Sequence, residues 1–198
     1  MAKRFVFEGS RREFDASADY AIILSFLQDR RSNLILGCSF LAMFLLCLLV
    51  FICFHDTVHA LTLLAACLLL LWKVWDQYTG WEAVRSLRRC RRDRQRLQAH
   101  GHYCLEDTGG PVRVTLSDGR FHIDFHPDTP PTVYRCEELH TVLECEAVYW
   151  IVGEEGQGFT LPKSFLTRGG EAEFRAWLEP HMDNWFVHKV PPSLQKYL

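Results

Sequence analysis

Two long runs of apolar residues dominate the first half of the chain. Leu34–Phe54 contains 21 consecutive residues without a charge, and seven of them are leucine. A helix of that length spans about 32 Å, close to the thickness of bilayer hydrocarbon. After a short polar break, a second apolar run extends from Val58 to Trp72, and further if Lys73 reaches the interface. The pattern predicts a transmembrane hairpin with spans at 34–54 and 57–75, or one span followed by a buried or re-entrant helix.

The residues before the first span carry a weaker, mixed pattern. Residues 3–7 and 11–15 resemble short strands, and Ser17 is suited to cap a following helix. Apolar residues then recur at helical spacing from Ala18 to about Arg31, namely Tyr20, Ile23, Leu24 and Leu27. We interpret residues 1–33 as an N-terminal strand and helix. The apolar face of this helix is expected to lie on the membrane surface, or to pack on the soluble domain or the extension of the second span.

A basic helix is predicted directly after the second span, in the juxtamembrane segment 76–100. Helical spacing extends from Gly80 to about Gln98. Arginines on one face suit anionic lipid headgroups or a partner, and they are Arg85, Arg88, Arg89, Arg92 and Arg96. The opposite stripe passes through Ala83 and Leu87 and is expected to form a short coiled coil or to contact the soluble domain. A topology signal with a solvated face is the alternative for the arginine stripe.

The pattern changes to a period of two after residue 100. Alternating apolar positions predict seven strands, near residues 102–106, 111–117, 119–125, 132–136, 139–145, 147–153 and 157–162. Gly169 and Gly170 then precede a terminal helix whose buried side carries Phe174, Trp177, Leu178 and Met182. Seven strands followed by one helix is the order of a pleckstrin-homology-like barrel. The sequence therefore predicts an α+β membrane protein with a β-rich domain at 101–182, capped by one helix, and a tail at 183–198.

The distribution of charge sets the predicted orientation. Lysine and arginine flank the hairpin on both sides, whereas the turn between the spans has neither, so both termini are expected in the cytoplasm at the inner (plasma) membrane. Residues 73–100 carry eight Lys or Arg and three acids, a net charge of +5. Residues 101–198 carry eight and fifteen, a net charge of −7. Because contacts with nucleic-acid phosphates need basic surface, the acidic domain argues against a nucleic acid as partner.

Candidate catalytic and ligand-binding residues are few. The eight cysteines form no C-x-x-C pair, and His122 and His126 lack a third metal ligand at a suitable spacing. No nucleophile–base motif and no glycine-rich phosphate loop is present, so we predict no catalytic residue, no cofactor and no metal. Glu144 and Glu146 are predicted to lie on the same face of a strand, where they form either a carboxylate pair or part of a solvated surface. Lys163 is expected to contact an anionic ligand or a lipid headgroup, or else to be solvated.

The order of several short motifs resembles the YcxB-like family of bacterial membrane proteins. The motifs are Ala18-Asp19-Tyr20, Tyr134, Glu138-Leu139, Glu144, Tyr149-Trp150-Ile151, Leu161-Pro162-Lys163-Ser164-Phe165 and Glu173-Phe174. The resemblance covers nearly the whole chain and is clearest from about residue 115 to 180. It implies an architecture but supplies no catalytic residues. Arg135-Cys136 stands where the family usually carries a tryptophan.

These observations favour a non-enzymatic inner-membrane protein whose cytoplasmic domain binds a protein or lipid partner or associates with itself. A membrane effector, or an immunity-type protein of a bacterial defence or toxin system, is the alternative, with the barrel responding to a ligand. The basic helix is expected to act as an electrostatic tether. Its first three arginines are predicted to bind the anionic leaflet, and later ones to hold the acidic domain. The later arginines are Arg92, Arg94 and Arg96.

Overall fold

The computed structural model describes residues 5–53, 57–99, 111–125, 130–154 and 157–198. The chain divides into two compact units. The first contains the positions up to Leu24 and those from Arg89 onward, and the second contains Ser25–Arg88. The described residues include three long helices, namely α1 (Arg11–Cys53), α2 (Thr57–Thr79) and α3 (Trp81–Ala99). Both α1 and α3 contribute residues to each unit, so the first unit is assembled from two separate segments of the sequence, and the second is the continuous segment between them.

The strands of the first unit form two sheets. They are β1 (Phe5–Ser10), β2 (Pro111–Ser117), β3 (Arg120–Asp124), β4 (Thr132–Arg135), β5 (Leu139–Glu144), β6 (Val148–Gly153), β7 (Gly158–Pro162), β8 (Leu166–Arg168) and β9 (Asn184–Val187). One sheet has the order β4-β3-β2-β1-β8, with antiparallel neighbours throughout. The other has the order β7-β6-β5-β9, in which β9 runs parallel to β5. Two short helices complete the unit, α4 (Glu171–Leu178) and α5 (Pro192–Gln195).

The strand predictions between residues 111 and 162 are confirmed, but the predicted barrel is wrong. The described strands form two separate sheets that do not close on one another. Short 3₁₀ turns explain the difference, because each one redirects the chain from one sheet into the other. They lie at Cys136–Glu138, between β4 and β5, and at Lys163–Phe165, between β7 and β8. The predicted strand near 102–106 lies outside the described residues.

The N-terminal segment supplies an interior strand. β1 pairs with β2 from Phe5↔Leu116 to Ser10↔Pro111 and with β8 on its other side. The strand predicted at 11–15 is wrong, because Ser10 and Glu13 form a reciprocal cap that starts α1 there. The helix expected to begin near Ala18 and end near Arg31 is therefore part of one continuous helix, with no glycine or proline to interrupt it before the first apolar run.

The core of the first unit lies between the two sheets and beneath α4. Both sheets contribute side chains that are almost fully buried, including Phe7, Val114, Phe121, Val142, Ile151 and Leu161. Phe174 of α4 makes edge-on contacts with the rings of Phe5 and Phe7, at centroid distances of 5.5 and 5.1 Å. The predicted buried side of the terminal helix is confirmed for Phe174 and Leu178, while Trp177 and Met182 lie at the edge of this core.

The outer face of the four-stranded sheet is covered by the first turns of α1. Leu24 is fully buried against Leu143 and Val148, and Tyr20 packs beside them. Ser17, predicted as a helix cap, instead lies inside α1. Its hydroxyl forms a hydrogen bond of 2.6 Å with the hydroxyl of Thr160 in β7. Of the alternatives for the apolar face of this helix, packing against the soluble domain is the one that the structure supports.

The second unit contains the apolar helices. Segments Arg11–Val50 and Leu61–Thr79 each include a stretch that is long and apolar enough to cross a membrane, judged by length and composition. Their large apolar side chains are exposed, with Leu46 and Leu69 both at 64%. The two helices approach closely at Gly37, where an added Cβ would lie 2.8 Å from Val74 Cγ2. A larger residue at this position would therefore push the helices apart.

Candidate functional site

A nearly buried carboxylate organises a charged network at the end of β5. Glu144 has a side chain that is 7% exposed, and its Oε1 lies 2.7 Å from Lys163 Nζ. Its Oε2 accepts a hydrogen bond from Trp185 Nε1 at 2.8 Å and lies 3.2 Å from Arg175 Nη1. Glu171 of α4 adds a second carboxylate 2.7 Å from the same ammonium. The network therefore ties β5, the turn after β7, α4 and β9 together.

The ionisation of the network follows from these contacts. Burial alone lowers the pKa of Lys163, but its hydrogen bonds to Glu144 and Glu171 outweigh burial and raise the pKa above its ordinary value. The hydrogen bond from Lys163 lowers the pKa of Glu171. Burial, followed by the charge of Glu144, raises the pKa of Tyr149, whose hydroxyl donates to Glu171. At neutral pH the lysine is cationic, Glu171 is anionic and the tyrosine is neutral.

The sequence singled out Lys163 but not its partners. The Lys163 side chain is 14% exposed, and its ammonium also lies 4.6 Å from the centre of the Tyr149 ring. Both of its carboxylate partners come from the protein itself, so an external anion would have to compete with them. Glu146 is exposed and forms no described contact with Glu144. The assignment of Lys163 to lipid or partner binding stays a prediction.

The beginning of α3 belongs to the second unit and carries two of the predicted arginines. Arg85 forms an ion pair with Asp76, which is 5% exposed, and Arg88 is exposed. Gly80 has a φ of 77°, which lets the chain turn between α2 and α3 and brings Asp76 and Arg85 together. Lys73 and Glu82 pair across the same turn at 3.0 Å. Arg85 is thus engaged within the protein, and lipid binding by Arg85 and Arg88 stays a prediction.

The end of α3 belongs to the first unit, where two arginines hold α1. Arg91 Nε lies 2.7 Å from Asp19 Oδ2, and Arg94 Nη2 lies 3.2 Å from Asp19 Oδ1. Arg94 also donates to the carbonyl of Asp15, and Arg91 to that of Tyr197, at 3.1 and 2.7 Å. We call Asp19, Arg91 and Arg94 the arginine clamp. It joins α3 to α1 and to the C-terminal residues.

The clamp changes the tether hypothesis in two ways. Arg94 does hold the soluble domain, but through the first helix rather than through the strands. Arg91 was not among the predicted arginines, because its helical position lies off the stripe. Arg89 and Arg92 are exposed, and Arg96 lies 3.9 Å from Asp93 on its own helix. Lipid or partner binding by Arg89, Arg92 and Arg96 stays a prediction, and so does the expected contact of Arg92 and Arg96 with the acidic domain.

We expect replacement of Arg91 and Arg94 by glutamate to release the end of α3. The variant removes ionic hydrogen bonds to Asp19 and places like charges beside a carboxylate that is 7% exposed. Local opening should increase cleavage of α3 by proteinase K about tenfold in membrane vesicles. Arg89→Glu with Arg92→Glu, at exposed positions of the same helix, is the matched control and should retain protection. Equal cleavage of wild type and the clamp variant would contradict a holding role.

Metal binding and thiol chemistry are the remaining candidate activities of a functional site. In the part of the chain that the structure describes, no group of three His, Cys, Asp or Glu side chains is arranged to hold a metal ion. Burial, followed by the nearby charge of Glu137, raises the pKa of the Cys136 thiol to about 11, which keeps it protonated at neutral pH. His122 lies on β3, while His126 lies outside the described residues. The absence of a metal and of a cofactor stays a prediction.

Comparison with known proteins identifies no relative of this chain. The similarity to the YcxB-like family, and the activity of the chain, therefore stay predictions that depend on its own residues. No protein-family model matches the chain, and neither does any curated protein or solved structure.

Proposed function

We propose that this chain is a non-enzymatic inner-membrane protein whose cytoplasmic α+β unit binds a protein or lipid partner. The observation that carries the proposal is the exposed apolar surface of α1 and α2. Side chains such as Leu46, Leu49 and Leu69 are more than 60% exposed in a row of like residues. A surface of this kind is unfavourable in water and is favoured in bilayer hydrocarbon. Membrane insertion accounts for it without a further protein.

Orientation follows from the basic residues on both sides of the apolar helices. Exposed aromatic side chains mark the end of α2, with Trp72, Trp75 and Tyr78 all more than 60% exposed. Tryptophan and tyrosine favour the interface between hydrocarbon and water. Arginine-rich α3 begins directly afterwards, which favours the cytoplasmic side for this end of the hairpin. With two spans, the N-terminus is expected on the same side.

A binding role for the α+β unit is favoured over catalysis by the state of its buried charges. Glu144 and Lys163 are paired with each other and with further protein groups, which is the arrangement of a structural network. Both groups are thus committed to partners within the protein, whereas a catalytic acid or base must be able to contact a reacting group. The YcxB-like resemblance is part of the proposal, and it supplies an architecture and no catalytic residues. An effector or immunity-type function, in which a ligand of the α+β unit acts on the membrane helices, is the alternative carried over from the sequence.

We expect fusion of a reporter to Leu198 to place the C-terminus in the cytoplasm. A fluorescent protein should be fluorescent there, whereas alkaline phosphatase, which needs an oxidising compartment, should be inactive. The full chain should also remain in the membrane fraction after extraction at alkaline pH. A fusion at residues 54–56, which separate α1 from α2 in the sequence, is the matched control and should show the opposite reporter pattern. Active phosphatase at Leu198 would contradict the orientation, and release by alkaline extraction would contradict membrane insertion.

A further inference from the structure

An open cleft of about 400 Å³ lies where the five-stranded sheet meets the turn into β5. Its lining comes from the β2–β3 turn, β3, the end of β4, the 3₁₀ turn Cys136–Glu138 and the 3₁₀ turn after α4. The lining residues are Asp118, Gly119, Arg120, Arg135, Cys136, Glu137 and His181. A hydrogen bond from the Cys136 backbone to the carbonyl of Gly119, at 2.9 Å, fixes the floor of the cleft. All of these residues belong to the first unit.

Two arginines stand directly opposite one another in this cleft. Arg120 and Arg135 are register partners in the antiparallel pair formed by β3 and β4, so their side chains lie on the same face of the sheet. Like charges in directly opposed positions destabilise a sheet. Both side chains are exposed, and both line the cleft. The presence of this unfavourable pair beside a cavity is consistent with a role for the two arginines in binding rather than in stability.

The two guanidinium groups are poorly satisfied by the protein. Among the described residues, Arg120 has no ion-pair partner, and Arg135 reaches Glu138 at 3.9 Å, near the limit for an ion pair. Asp118 and Glu137 line the same cleft, but neither forms an ion pair with these arginines in the described part of the chain. The two arginines therefore retain donors for an anion, and the two carboxylates limit how much negative charge the cleft accepts.

A histidine side chain also borders the cleft. The ring of His181 stacks on Trp177, with ring centres 4.6 Å apart and planes at 23°. Its Nδ1 lies 2.8 Å from the carbonyl oxygen of Trp177, which assigns the proton to Nδ1 in the neutral ring. Protonation then occurs at Nε2, so His181 donates a further hydrogen bond toward a ligand only when it is charged. Beside it, the protonated Cys136 thiol adds no negative charge to the floor.

We propose that this cleft binds a phosphate monoester, whose dianionic phosphoryl group bridges Arg120 and Arg135. A tetrahedral phosphate has three terminal oxygens and can accept from two planar guanidinium forks at once, whereas a carboxylate satisfies one. The cleft exceeds the size of inorganic phosphate and leaves room for the esterified group. The ester is a soluble metabolite or the headgroup of a phosphatidic-acid-type lipid. The proposal deepens the partner-binding role above and rests on it, while membrane insertion is independent of it.

The test uses the full chain in neutral detergent micelles and titrates it with phenyl phosphate by calorimetry. Saturable binding is expected, and Arg120→Gln and Arg135→Gln should each weaken it about tenfold. Arg168→Gln, an exposed arginine on the edge strand β8 of the same sheet, is the matched control and should bind as wild type does.

A thermal measurement separates lost binding from lost folding. Because each substitution removes one of two opposed charges, neither variant should melt below wild type when phosphate is absent. Phenyl phosphate should raise the melting temperature of wild type and of Arg168→Gln, and leave the Arg120→Gln, Arg135→Gln double variant unchanged. Should a glutamine variant misfold, Arg135→Lys, which keeps the charge but loses the planar fork, provides the comparison and should bind more weakly than wild type but more tightly than Arg135→Gln.

A second titration, with dihexanoyl phosphatidic acid in the same micelles, identifies the source of the ester. Tighter binding than phenyl phosphate, lost in the double variant, supports a lipid headgroup, and equal binding supports a soluble ester. Absence of saturable binding by wild type, or equal binding by wild type and the double variant, would overturn the site. Either outcome would leave the reporter pattern at Leu198 unaffected, so failure of this site is distinguishable from failure of the membrane proposal.

Discussion

A fragment restricted to residues 101–182 is expected to lose cooperative folding, although its alternating strands predict an independent domain. It lacks β1, which lies between β2 and β8, and β9, which pairs with β5. Without β1 the core loses Phe5 and Phe7, each at most 2% exposed and worth about 1.5–3 kcal/mol of burial. Three strand edges, those of β2, β8 and β5, are also left without hydrogen-bond partners. Because a domain of this size is stable by about 5–15 kcal/mol, these losses remove much of the margin.

The measurement compares this fragment with a chimaera in which residues 1–24 are joined to residues 89–198. A glycine/serine linker of about twenty residues, with a typical span of about 25 Å, replaces the apolar helices. The chimaera should melt cooperatively with dispersed amide resonances, and the fragment should show neither property. A chimaera with Phe5 and Phe7 both replaced by serine is the matched control and should resemble the fragment. Cooperative melting of the 101–182 fragment would show that β1 is dispensable.

This difference shows which parts of the fold the sequence can predict. Strands β2 to β7 follow one another closely, and each alternates apolar and polar residues, so their positions are readable from local pattern. The pairing of β1 with β2 joins residues that are more than a hundred positions apart, and no local signal specifies it. β1 also does not alternate in burial, because Phe5, Val6 and Phe7 are all covered. Residues 183–198 were likewise predicted to be a tail, because the pairing of β9 with β5 also joins segments that are distant in the sequence and has no local signal.

Charged side chains show the same limit. Helical spacing predicts which arginines of α3 share a face of the helix. It cannot reveal which of them forms an ion pair with a carboxylate elsewhere in the chain. Asp19 is 72 positions before Arg91, yet the two side chains lie 2.7 Å apart. One local signal was available, because Asp19 belongs to the Ala18-Asp19-Tyr20 motif that carries the YcxB-like resemblance. An acidic residue in a short motif before an apolar span therefore justifies a search for an arginine partner.

The ion pair between Glu144 and Lys163 likewise has no local signal in the sequence. Breaking this pair is the second change for which we expect a large effect. We expect Glu144→Gln to destabilise the first unit by about 3 kcal/mol, which is the scale for breaking a buried ion pair. The amide keeps the shape of the side chain but removes its charge. It also places an NH₂ group where Glu144 now accepts from Lys163 on one oxygen and Trp185 on the other. One of these two donors then faces another donor.

A double replacement with apolar residues should cost much less than the sum of the single ones. Glu144→Leu together with Lys163→Met removes both buried charges and keeps similar volume, which in other proteins is close to neutral. The remaining partners are able to reach solvent, because the side chains of Glu171 and Arg175 are 54% and 40% exposed. The double variant should therefore lie within about 1 kcal/mol of wild type, whereas each single variant loses about 3 kcal/mol.

Pulse proteolysis of the full chain in neutral detergent, over a series of urea concentrations, measures the free energy of unfolding of each variant. Glu146→Gln is the matched control, since Glu146 is exposed two positions away and its neutralisation should change stability by less than about 0.5 kcal/mol. Strong coupling between Glu144 and Lys163 would establish that the pair acts as one structural unit. If the single losses simply add in the double variant, the two residues act independently, and Lys163 becomes available again as a ligand for an external anion.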